Sequence, residues 1–250
     1  MSKRTFISLL VLGTAFLSAG AQPKVSVSEN SLSIDGKPFT LLAGELHNST
    51  SGSVHGMDGV MERMAAKNLN TVIAAASWEL VEPEEGRFRF DEVDAMIDSA
   101  TDAGVKLIIL WFGSWKNGQS TYVPEWVKKD TGRFPRALFS DGQTTSTLSA
   151  LGKNSMKADA KAFAAMMAHV RDYDRNGTVI MVQVENEIGT LDMMSSFMGG
   201  ENRAARDYSP AARKAFAGKV PEKLLSYLSA HKGSLHPAIE GAWKRGGYRT

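Results

Sequence analysis

The sequence predicts an α/β fold of the TIM-type (β/α)8-barrel class, present as about the first four strand–helix units behind a small β-ribbon. Two observations carry this expectation. Four short apolar runs alternate with amphipathic helical patterns, which implies parallel strands joined by crossover helices. Each run also ends in polar and aromatic residues rather than a glycine-rich phosphate loop: Glu45 and His47, Trp78 and Glu79, Trp111 and Trp115, Asn186 and Glu187. Barrels of this class place their chemistry at the C-terminal ends of the strands. No Gly-x-Gly-x-x-Gly or Walker-type loop follows any strand, so a nucleotide-binding sheet is unsupported.

In chain order, Val25–Ile34 alternates apolar and polar residues and ends at the turn signal Asp35-Gly36, which predicts a β-ribbon within residues 22–38. The first buried strand is expected over Phe39–Leu46. A helix over Met57–Asn68 would put Met57, Val60, Met61, Met64 and Ala65 on one face. The second strand is expected over Asn70–Ser77. Asp91 is placed as the cap of a helix whose inward positions are Val93, Met96, Ile97 and Ala100, closed by Gly104. The third strand, Val105–Trp111, leads into a long loop, Phe112–Asn154. An amphipathic helix over Ser155–Arg175 carries Phe163, Met166, Met167, Val170 and Tyr173, with Gly177 at its end. The fourth strand starts at Thr178 and runs straight into Glu185-Asn186-Glu187, with further helix over Ser209–His231. Only 63 residues follow Glu187, whereas four more units would need on the order of 30 each. Residues 39–250 are therefore expected to be the N-terminal half of a barrel.

At the N-terminus, Lys3 and Arg4 precede the apolar run Phe6–Ser18 and the small-x-small sequence Ala19-Gly-Ala21. That is the pattern of a secretory signal peptide over residues 1–21, too short and wrongly flanked for a membrane span. The expectation is export to the periplasm or the extracellular space, with no membrane attachment after cleavage. Without the two cations of this leader, residues 22–250 carry no net formal charge and no basic stripe, which argues against nucleic acid as a partner. The absence of cysteine excludes disulfides and thiolate metal sites. His47, His55, His169, His231 and His236 show no metal-ligand spacing, so no metal and no organic cofactor is expected. The twelve methionines fall mainly on inward helix faces and read as packing. Oligomeric state is left open.

Carboxylates and tryptophans at strand ends suit a carbohydrate. Aromatic faces stack on the apolar faces of sugar rings, and carboxylates and amides bond the hydroxyls. Candidate sugar contacts are His47, Trp78, Glu79, Trp111 and Trp115. Glycoside hydrolysis needs two carboxyl groups flanking the scissile bond. Glu185 and Glu187, two residues apart on one strand face, would have Cα atoms about 6.5–7 Å apart, on one side of the substrate. Glu185 is accordingly read as a buried supporting residue held in an ion pair.

Four segments, in order, carry a resemblance. Val182-Gln-Val-Glu-Asn-Glu-Ile-Gly189 resembles the acid/base motif of β-galactosidases in glycoside hydrolase families 35 and 42. Trp78-Glu-Leu-Val-Glu-Pro-Glu-Glu-Gly-Arg-Phe-Arg-Phe90 is similar to their second-strand motif, Gly44-Glu-Leu-His47 to the first, and Pro124-Glu-Trp126 to the Pro-x-Trp after the third. The resemblance implies a retaining exo-glycosidase acting on terminal β-linked sugars of oligosaccharides. It makes Glu187 the general acid/base and Asn186 the partner of the sugar 2-hydroxyl. At position 79 this chain has Glu where many members have Asn. Gly113-Ser-Trp-Lys-Asn-Gly118 replaces a longer segment with a sugar-binding Ala-Glu, which leaves the sugar open. The family nucleophile, a Glu ending the seventh strand, has no counterpart in this chain. The alternatives are an inactive sugar-binding fragment and a related barrel hydrolase of different glycan specificity.

Overall fold

In the computed structural model, residues 23–29, 31–187, 207–218 and 222–230 are described. The signal-peptide reading of residues 1–21 therefore lies outside the described residues. The N-terminal ribbon has three antiparallel strands, β1 (Val25–Val27), β2 (Leu32–Ile34) and β3 (Lys37–Pro38), rather than one strand ending in a turn. The expected single run is split because Ser28 turns the chain, its amide donating to Ser31 O at 2.9 Å. Asp35 and Gly36 then form the two-residue turn into β3 with φ of 51° and 75°, the left-handed pair such hairpins require.

The main sheet holds β4 (Ala43–Glu45), β5 (Thr71–Ser77), β6 (Lys106–Phe112) and β9 (Val179–Gln183), all parallel and adjacent in that order. Its strands twist into two unequal apolar faces. On one, Val72, Ala74 and Ala76 of β5 and Leu107, Ile109 and Trp111 of β6 pack against helix residues. These include Met96, Ile97 and Ala100 of α3 (Asp91–Asp102) and Ala162, Met166 and Val170 of α5 (Lys153–Tyr173). The alternate residues Ala75, Leu110 and Phe112 make a small second cluster with Tyr122. A side chain of this size moved fully out of water contributes about 1.5–3 kcal/mol, so the helix-covered face dominates the stability.

Several expected boundaries move, each for a local reason. The first strand is three residues long and Leu42 is 53% exposed. Asn70 takes the place of a ladder partner there: its Oδ1 accepts from Leu42 N at 3.0 Å and its Nδ2 donates to Thr40 O at 2.9 Å. The helix expected over Met57–Asn68 is divided by Gly59 (φ 63°) into a 3-10 turn, Val54–Met57, and α1 (Val60–Ala65). Asp91 does not cap α3. It lies inside the first turn with Glu92 and Asp94, where acidic groups favour the helix dipole, and its carboxylate pairs with Arg89 at 3.1 Å.

A short helix, α2 (Trp78–Val81), follows β5 directly, and the stretch expected to be a long loop, Phe112–Asn154, contains α4 (Glu125–Lys129) and the antiparallel pair β7 (Arg136–Leu138) and β8 (Thr144–Leu148). Helices Pro210–Ala217 and Glu222–Ala230 follow, the first capped by Ser209 Oγ accepting from Ala212 N at 3.2 Å. Among the described residues no helix is long and apolar enough to cross a membrane.

Candidate active site

The end of β9 departs from the expected extended strand. Its ladder stops at Gln183, and Glu185 and Glu187 take φ of 65° and 52°, the left-handed region rather than a strand conformation. The two carboxylates therefore do not alternate along one strand face. The local reason is the loop after β6. Asn117 and Gly118, with φ of 54° and 69°, form a two-residue turn closed by Lys116 N to Gln119 O at 2.7 Å and Gln119 N to Lys116 O at 3.0 Å. This turn lies against the end of β9: Lys116 bridges to Asn186 as a parallel strand would, and Gly118 N donates to Glu187 O at 3.1 Å.

Lys116 was not singled out from the sequence, although Asn117-Gly118 is the strongest short-range turn signal. Its ammonium lies 5.0 Å from the Phe112 ring centroid and donates to Asn186 Oδ1 at 2.8 Å and to Asn117 Oδ1 at 2.6 Å. It also sits 3.8 Å from Glu187 Oε2. Asn186 is buried, whereas the Glu187 side chain is 53% exposed. A fixed amide beside an accessible carboxyl at a strand end can bind a hydroxyl and exchange a proton with it.

Glu185 points the other way. Its Oε1 accepts from Ser114 N at 3.2 Å and its Oε2 from Trp115 N at 3.1 Å. The expected cation is replaced by a second carboxyl, Asp159 of α5, buried and bonded to Trp111 Nε1 at 2.8 Å and Ser114 N at 2.7 Å. Burial, followed by the hydrogen bond to Asp159 and its charge, pushes the Glu185 carboxyl up to about 9 against the opposing pull of the two amides. Glu185 thus holds a proton through the neutral range. A folded-state value above the unfolded one means stability present in full below the unfolded value near 4.5 and lost progressively up to about 9. Glu185→Gln, which keeps the shape without a charge to form, should leave stability near pH 5 unchanged and raise it by a few kcal/mol near pH 9. Urea midpoints at the two pH values measure the difference.

Gly113 lets this loop pass Asp159. A Cβ there would fall 2.6 Å from both carboxyl oxygens. Gly113→Ala should cost about 1–3 kcal/mol in denaturant unfolding, the range of an overpacked interior site.

The remaining candidates separate into core and cleft. Trp78 and Trp111, expected to face sugar, are 0% and 1% exposed. Their indole N–H groups are committed inward, Trp78 to Glu82 Oε2 at 2.9 Å and Trp111 to Asp159 Oδ1. Both are core aromatics. The buried Glu82 carboxyl also accepts from Gly86 N at 2.8 Å, and its carbonyl from Trp126 Nε1 at 3.1 Å. This makes Glu82, passed over in the sequence, the centre of the second-strand motif. Glu79 is half-buried and ion-paired to Lys128 at 3.0 Å. Trp115 is half-buried beside Glu185. His47 is exposed, with Nδ1 2.9 Å from Ser49 Oγ. Among the described residues no three His, Asp or Glu side chains converge as a metal site.

Comparison with known proteins places the chain. Residues 31–233 match glycosyl hydrolases family 35, and the chain belongs to that family. A β-galactosidase of Xanthomonas manihotis is 29% identical over 80% of this chain and 33% of its own length. The human β-galactosidase-1-like protein 2 is 26% identical over 70% of this chain and 26% of its own. This chain therefore spans about a third or less of the curated relatives it matches. A crystal structure of GH5_18 from Streptomyces cattleya in complex with GlcNAc covers 58% of this chain and 33% of that one, at 15% identity and a TM-score of 0.43.

Proposed function

We propose that this chain is the acid/base-bearing N-terminal half of the barrel of an exported, retaining β-galactosidase-like exo-glycosidase. The observation that carries the reading is Glu187. Its carboxyl is accessible at the C-terminal end of a parallel strand, with Asn186 fixed beside it by Lys116. Glu187 gives its proton to the glycosidic oxygen as the bond breaks, then takes one from water as the glycosyl-enzyme is hydrolysed. Asn186 bonds the 2-hydroxyl, a contact that strengthens in the transition state. Glu79, His47 and Trp115 are the remaining candidates for sugar contact.

Glu185 is not the nucleophile in this reading, because its oxygens already serve the amides of Ser114 and Trp115. The nucleophile comes from the seventh strand of a completed barrel. The Gly113–Gly118 loop favours a second reading, a related hydrolase of different glycan specificity. There the family's sugar-binding Ala-Glu gives way to a short turn that carries a lysine.

Proton NMR of the sugar released from a β-galactosyl oligosaccharide by the full-length protein decides between them. β-Galactose appearing first supports the retaining galactosidase. Release of another sugar from a glycoside panel supports the second reading, and no release from any glycoside favours a sugar-binding remnant.

A further inference from the structure

We propose that Asp159, on helix α5, is a positioning residue of the site, holding the Glu185–Glu187 segment against the loop after β6 through Trp111, Ser114 and Glu185. The inference rests on Glu187 as the acid/base, but its geometry stands apart from that role. Asp159 is buried and belongs to the helix that precedes β9, the strand that leads to Glu187. Its two oxygens divide their work. Oδ1 takes the indole N–H of Trp111 at the end of β6, and Oδ2 takes Ser114 N, three residues further on. Ser114 N is shared: it also faces Glu185 Oε1 at 3.2 Å, while Trp115 N holds Glu185 Oε2. One helix residue thus fixes the end of one strand, the start of the following loop and, across them, the end of the next strand.

The loop is buttressed from behind as well. Ser120 Oγ donates to Ser114 O at 2.6 Å and accepts from Leu148 N of β8 at 2.8 Å, and Thr147 Oγ1 donates to Gly118 O at 2.8 Å. Against that rigid backing, the part of the contact able to change is the carboxyl pair. Two facing carboxyls stay together while one proton lies between them, and they repel when both ionise. The groups facing Glu185 are Asp159 from α5 and the two loop amides. Lys116, from the same loop, is turned to the next two residues, Asn186 and Glu187. It offers no compensating charge within hydrogen-bond reach of Glu185. Loss of the proton between Asp159 and Glu185 therefore loosens Glu185 first and, through the backbone, Asn186 and Glu187.

The test reads position directly and needs no turnover. In amide NMR spectra of the whole chain, the Trp111 indole N–H reports Asp159, and the Gly118 amide, bonded to Glu187 O, reports the segment. In the wild type both resonances should move together, with a midpoint of about 9. Glu185→Gln should hold both at their neutral positions throughout, since its amide donates where the acid did. Asp159→Asn should displace both at neutral pH while β5 amides stay in place, which separates loss of position from loss of fold.

The proposal is overturned if Gly118 does not follow the Trp111 titration, or if Glu185→Gln disturbs the segment as much as Asp159→Asn. In the full-length protein, failure of Glu187 as acid/base would show as glycoside turnover that survives Glu187→Gln. Those NMR results would not change.

Discussion

Glu187→Gln in the full-length protein is expected to lower turnover of galactosides with poor leaving groups by about 100- to 10,000-fold, the usual contribution of a positioned acid or base. The amide keeps the size of the side chain and can still meet Lys116, which lies 3.8 Å from the carboxylate in the parent. Folding should therefore be unaffected. The loss should depend on chemistry at the leaving oxygen. A dinitrophenol needs no proton to depart, so the first step should survive in the variant, whereas an alkyl or sugar leaving group does need one. A uniform loss across leaving groups would mark Glu187 as a binding residue instead.

Trp78→Ala should cost about 3–5 kcal/mol of stability, the range for deleting a large buried aromatic. The indole is fully enclosed, meets Trp126 edge-on at 5.8 Å and donates to the buried carboxyl of Glu82. Deletion leaves a cavity and strips a buried acceptor of its donor. Denaturant unfolding should show the loss, with KM for sugar unmoved in whatever fraction stays folded. Raised KM at unchanged stability would return Trp78 to the sugar face. Trp78→Phe should lose less, about 1–3 kcal/mol, because the ring remains and only the N–H is gone.

Sequence reading and structure agree where local pattern and tertiary contact point the same way. The inward positions of α3, Val93, Met96, Ile97 and Ala100, are all buried, because a spacing of three and four residues leaves a helix one apolar face. The parallel β5–β6–β9 arrangement follows from apolar runs separated by helices. Agreement fails where a side chain from far along the chain replaces a ladder or redirects a strand. Asn70 delays the start of β4 in this way, and the Lys116–Gln119 turn bends the end of β9.

The tryptophans show the same limit. Trp78, Trp111 and Trp115 all lie at or just beyond strand ends, but only a three-dimensional partner decides which face inward. For Trp78 and Trp111 those partners are Glu82 and Asp159. Glu82 lies four residues after Trp78, one helical turn away, and this spacing was a usable signal. Asp159 stands between Ala158 and Ala160 in register with Ala162, Met166 and Val170, and an acid on the apolar face of a long helix was a usable signal as well.

The central claim is that Glu187 serves glycoside hydrolysis, and hydrolysis of nitrophenyl β-galactoside tests it most directly. The assay compares residues 22–250 with the full reading frame that contains them. The expected result is turnover by the full-length protein, loss of deglycosylation in its Glu187→Gln variant, and none by residues 22–250 alone. Undiminished steady-state turnover in the variant, or no hydrolysis by the full-length protein of this or any other aryl glycoside, would contradict it.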